Sequence, residues 1–63
     1  MDFAKMVRQL GRAGLSERAI GRAIGLSQSS VRNIRDKGGH PRWDTGEKLI
    51  DLHCLVVLKI VRK

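Results

Sequence analysis

Sixty-three residues make one small domain at most, and a chain this short buries only about 60% of its unfolded surface. Cys54 is the only cysteine, so no internal disulfide can form, and His40, His53 and Cys54 lack the paired spacing of a metal site. Thirteen Lys and Arg against six Asp and Glu give a net charge of +7, which suits a polyanionic partner.

The charge is uneven: +6 falls in residues 1–43 and +1 in residues 44–63. With disulfides and metals set aside, self-association is the remaining route to extra stability. No stretch has the apolar run of a signal peptide or the roughly 18 apolar residues of a membrane span. With a lone thiol, a cytoplasmic location is expected, without membrane contact. No cofactor, no metal and no small-molecule ligand are expected, and no paired catalytic groups suggest an enzyme.

The first predicted helix runs from Asp2, as cap, to about Leu10. Phe3, Met6, Val7 and Leu10 make one stripe at i, i+3, i+4 and i+7. Gly11 and Gly14 are expected to end it and form the loop. Ser16 then caps a second helix, with Glu17 in its first turn and Ala19, Ile20, Ala23 and Ile24 as its buried stripe. Gly21 costs about 1 kcal/mol relative to alanine there, a cost that makes sense if another helix backbone passes close by. Gly25 supplies the left-handed stop, Leu26 fills the space under the turn, and Ser27 caps a third helix to about Arg35 with Val31 and Ile34 inward.

Residues 37–43 read as a loop, broken by Gly38, Gly39 and Pro41. Asp44 to Glu47 has the form of a capping box for a fourth helix, whose inner face is Leu49, Leu52, Val56 and Ile60 with Leu55 alongside. Trp43 is expected to pack under the loop and this helix. From Cys54 onward the chain is apolar all round and rich in β-branched residues, which suits either a strand or a further helix. It offers more apolar surface than one small core covers. The excess predicts a subunit contact through Leu55, Val57, Leu58 and Val61.

Ser16 to Asp36 thus reads as two short helices joined by Gly25-Leu26-Ser27, the second opening with polar residues and carrying two arginines. That is the layout a helix-turn-helix needs to set one helix in the major groove. On this reading the outward residues of helix 27–35 face base edges. Gln28 and Asn33 pair with adenine, Ser29 with either base pair, and Arg32 forks onto guanine. Ser27 and Ser30 hydroxyls suit phosphate oxygens, Arg12, Arg18 and Arg22 suit the phosphates flanking the second helix, and Arg35, Lys37, His40 and Arg42 follow the recognition helix and suit the adjacent strand.

Residues 16–36 resemble the lambda-repressor-like family of small phage and bacterial regulators, which includes Cro-type repressors. The matching residues are Gly21, Gly25, Ile20, Ile24, Leu26, Val31 and Ile34, and the resemblance extends over roughly residues 2–55. It implies an all-α bundle of four to five helices, with a strand or helix at the C-terminus. It also implies binding of double-stranded operator DNA as a homodimer. Two positions depart from the family. The small inner residue, more often alanine, is Gly21, and Glu17 stands where glutamine often contacts a phosphate, which shifts that contact to Ser16, Arg18 or nearby amides. The expected function is that of a sequence-specific transcriptional regulator, a Cro-like repressor. An antitoxin-like or adaptor module, binding a protein partner through the apolar tail, is the alternative.

Overall fold

Asp2 opens the first helix of the computed structural model, which describes residues 2–60. Its carboxylate accepts the Lys5 amide at 3.0 Å, and α1 spans Phe3–Arg12. Ala4, Val7 and Leu10 are its buried residues, with Phe3 and Met6 half-buried beside them. The helix passes through Gly11 instead of ending before it. Glycine weakens a helix without breaking its ladder, and the Ala13 amide still reaches the Gln9 carbonyl at 3.0 Å.

Ser16 caps α2, Glu17–Ile24, accepting the Ala19 amide at 3.1 Å. Ile20, Gly21 and Ile24 are buried, whereas Ala19 is half-buried and Ala23 exposed. This corrects the expected stripe. Gly21 is itself part of the inner face, and Ala23 lies two residues on, roughly 200° around the helix. A Cβ on Gly21 would stand 2.5 Å from the Leu26 carbonyl oxygen. The close backbone is therefore that of the following turn. Gly25 takes the left-handed conformation (φ 80°) and ends the helix.

Ser27 caps α3, Gln28–Lys37, which continues two residues past the expected Arg35 until Gly38 turns left-handed (φ 65°). Val31 and Ile34 are its buried residues. The next helix, α4, spans Trp43–His53 with Arg42 as its cap residue. The expected capping box is not formed. Arg42 is extended and its carbonyl accepts the Gly46 amide at 2.7 Å, so the helix starts before Asp44. Asp44 instead sits in the first turn, where its carboxylate accepts the Thr45 amide and complements the helix dipole.

Cys54–Leu58 continue as a π-helical turn, closed at Lys59, whose amide reaches the Cys54 carbonyl. The strand alternative is not realised: among the described residues the structure is all-α. A lone strand would leave its amides unpaired, whereas the wide turn satisfies them and lays Val56 and Val57 against the core. Ile60, expected on the inner face, is exposed.

α1 and α2 each pack on α3 and α4. Val7, Leu10, Ile20, Ile24, Val31, Ile34 and Leu49 form the shared core. Full burial of one such side chain contributes about 1.5–3 kcal/mol. His53 is buried at the end of α4, and its Nε2 donates to Gln9 Oε1 on α1, tying the first and last helices together. The radius of gyration, 10.2 Å, is close to the roughly 10.6 Å expected of a single packed body of this length.

Candidate nucleic-acid interface

Core packing fixes one side of α3 and leaves the other to solvent. With Val31 and Ile34 inward, Gln28, Ser29, Arg32 and Asn33 are all exposed. Ser27 and Ser30 are bonded to each other. The Ser27 hydroxyl accepts the Ser30 amide at 3.2 Å and donates to the Ser30 hydroxyl at 3.0 Å. Of the two, Ser30 retains a hydroxyl hydrogen to give onward.

A groove of about 290 Å³ separates α3 from the loop before α4. Ser30 and Asn33 line one wall, and His40, Pro41 and Arg42 the other. The geometry thus gathers four of the expected residues, Ser30, Asn33, His40 and Arg42, around one channel. Ser16, Arg18 and Arg22 on and before α2, and Lys37 at the end of α3, are exposed away from that channel's lining.

Glu17 has a different part from the one its charge suggests. Its Oε2 lies 3.4 Å from Arg32 Nε, and its Oε1 lies 3.3 Å from Arg35 Nη1. One carboxylate at the start of α2 therefore bridges two arginines a turn apart on α3. Oε2 is shut off from solvent and receives no hydrogen bond, so the Arg32 contact is an ion pair without hydrogen-bond alignment. Arg35 is fully engaged: its Nε and Nη2 hold the two Asp36 oxygens at 2.8 and 3.2 Å. That hydrogen-bonded pairing holds the Asp36 carboxyl below its usual value and raises Arg35 further above its own. Arg8 and Arg12 line a cavity of about 330 Å³ with Glu17 and Arg35. Sequence reasoning did not single out Arg8, although the i, i+4 spacing of Arg8 and Arg12 places both on one side of α1.

No family model, no curated protein and no solved structure matches this chain.

Trp43 corrects a sequence expectation. It is 81% exposed, not packed under the loop. Because α4 begins at Trp43 itself, the ring stands at the outside of the first turn. Phe3, His40, Pro41 and Ile50 border a cavity of about 480 Å³ beside it instead of covering it. Leu55 and Leu58 are about half exposed, Val57 packs on the core, and Val61 lies outside the described residues. Among the described residues no helix is long and apolar enough to cross a membrane.

Proposed function

We propose that the chain is a sequence-specific regulator of transcription of the lambda-repressor-like, helix-turn-helix kind. In this reading α3 enters the major groove of operator DNA, and the protein works as a homodimer in the bacterial cytoplasm. One observation carries the reading: the outward side of α3 presents Gln28, Ser29, Arg32 and Asn33 together, on a helix anchored by Val31 and Ile34 in a strongly basic molecule. Amide and guanidinium groups of this kind recognise adenine and guanine edges by paired hydrogen bonds. His40 and Arg42, across the groove from Asn33, suit phosphates of the flanking backbone. For Arg35 to bind a phosphate, that anion must replace Asp36.

Selection from random duplexes, followed by Arg32→Ala, tests the reading. The expected outcome is a recovered motif and a loss of about 1–3 kcal/mol of discrimination at one guanine in the variant. Recovery of no motif would sink it.

Exposed Trp43, Leu55, Leu58 and Ile60, with the cavity beside Phe3, favour a second reading as an adaptor or antitoxin-like subunit. Loss of a protein partner on Leu58→Asp, with duplex binding absent from the parent, would favour it over the first.

A further inference from the structure

The DNA reading leaves the bridging carboxylate of Glu17 without a task. An acid beside an operator-binding helix repels phosphate, so its presence there calls for a compensating role. The contact atoms supply one. Glu17 meets Arg32 at Nε, which leaves the two terminal nitrogens of that guanidinium as the donors not facing Glu17. Those two nitrogens form the end-on fork that matches guanine O6 and N7. Arg32 is otherwise a long and half-exposed side chain, and its rotamer freedom is lost on binding unless something fixes it beforehand.

We infer that Glu17 is a positioning residue for base discrimination: it holds Arg32 by Nε from the start of α2, so that the terminal fork is presented to a guanine. The inference rests on the DNA-binding reading. The buried, unbonded Oε2 fits the same role. An aligned bond from Nε would satisfy that oxygen, and a modest rotation of the guanidinium on docking would make it. Arg35 steadies the carboxylate from its other oxygen, while Asp36 steadies Arg35. Recognition would thus be supported by a second layer of groups that never touch the duplex.

This role predicts two effects of opposite sign. Removing Glu17 takes away a repulsive charge, which strengthens binding to any duplex, and frees Arg32, which weakens preference for one base. A purely structural strap would lower both together. The experiment measures binding of Glu17→Ala, Glu17→Asp, Arg32→Ala and the Glu17→Ala/Arg32→Ala pair. Each is tested against the selected operator, against operators with single G·C pairs changed to A·T, and against an unrelated duplex, with thermal unfolding alongside. Glu17→Asp keeps the charge and the first-turn acid but withdraws the carboxylate by one methylene, so it serves even if Glu17→Ala folds poorly.

Expected are about tenfold losses of discrimination at a single guanine for both Glu17 variants, at the same guanine as Arg32→Ala. Binding of Glu17→Ala to the unrelated duplex should be equal to or tighter than the parent's, and the double variant no worse than Arg32→Ala. Wild-type discrimination in both Glu17 variants, at a base where Arg32→Ala fails, overturns this inference and leaves the DNA reading standing. Losses that add independently in the double variant do the same. An Arg32→Ala variant that discriminates normally overturns this inference alone, whereas absence of duplex binding by the parent overturns the DNA reading and this inference with it.

Discussion

Two glycines in neighbouring helices have opposite consequences, and their surroundings decide the sign. Gly11 is helical and exposed, with nothing within 4 Å of the position a Cβ would take. Alanine there gains helix propensity and reduces unfolded-state freedom, so Gly11→Ala should stabilise the fold by about 0.5–1 kcal/mol. Gly21 faces the Leu26 carbonyl oxygen at 2.5 Å from the same imagined atom, and that neighbour is backbone. The propensity gain is outweighed by overpacking that typically costs about 1–3 kcal/mol. Urea unfolding of the two variants should therefore move the midpoint in opposite directions. A Gly21→Ala protein as stable as the parent would show that the turn can shift, as the alanine favoured by the lambda-repressor-like pattern requires.

Asp36 offers a second test at this scale. Its carboxyl is held below the ordinary value by the hydrogen bonds from Arg35. A depressed folded-state value contributes stability above the unfolded value, near 3.8, and that contribution disappears as pH falls through the folded one. The raised value of Arg35 acts only at extreme alkaline pH, since its contribution is complete below the unfolded value. Asp36→Asn should thus remove a small contribution at neutral pH and make the acid limb of the stability curve shallower below about pH 4, so that variant and parent converge at the lowest pH. A variant whose acid limb matches the parent's would contradict the pairing.

At the level of elements, what the sequence discloses depends on how local the determining interaction is. The caps at Asp2, Ser16 and Ser27 and the left-handed Gly25 are legible because each involves residues three or four apart. The core positions Val7, Leu10, Ile20, Ile24, Val31, Ile34 and Leu49 follow from periodicity. What escapes is set by contacts across the fold. Ala23 turns outward because Gly21 takes the inner face, and Gln9 turns half inward because His53 awaits it 44 positions later. The Glu17 bridge to Arg32 and Arg35 also spans two helices, and no local pattern announces it.

Two N-terminal signals overlap at the start of α4. Asp44 and Glu47 have capping-box form, but the chain after Pro41 is already extended at Arg42 and helical at Trp43. The outer placement of Trp43 follows, and one ring makes it checkable. Its fluorescence in the free protein should be that of a solvent-exposed indole and readily quenched by iodide. Trp43→Ala should change stability by no more than about 0.5 kcal/mol. A blue-shifted, protected emission would instead mean that a second copy or a rearranged loop covers the ring.

For the whole molecule, charge is segregated. α4 carries three carboxylates and one lysine, a net −2, which leaves +9 on the rest of the chain. A polyanion is drawn to the surfaces of α1, α2, α3 and the loop before α4 more than to α4 itself. If several of these arginines and lysines neutralise phosphates, log K for duplex binding should fall with log salt at about −0.9 per phosphate. Titrations from low to physiological salt measure that slope. A flat line would mean that the positive surface has no phosphate partner.

One consequence follows from how α3 is held. Of its ten residues only Val31 and Ile34 are buried, and neither belongs to the outward set. If α3 reads DNA as proposed, anchor and reading face share no side chain, so new vocabularies can be written onto Gln28, Ser29 and Asn33 without disturbing the scaffold. Arg32 is the exception. Whatever replaces it inherits a half-buried acid at Glu17, so on the proposed reading those two letters are rewritten as a pair.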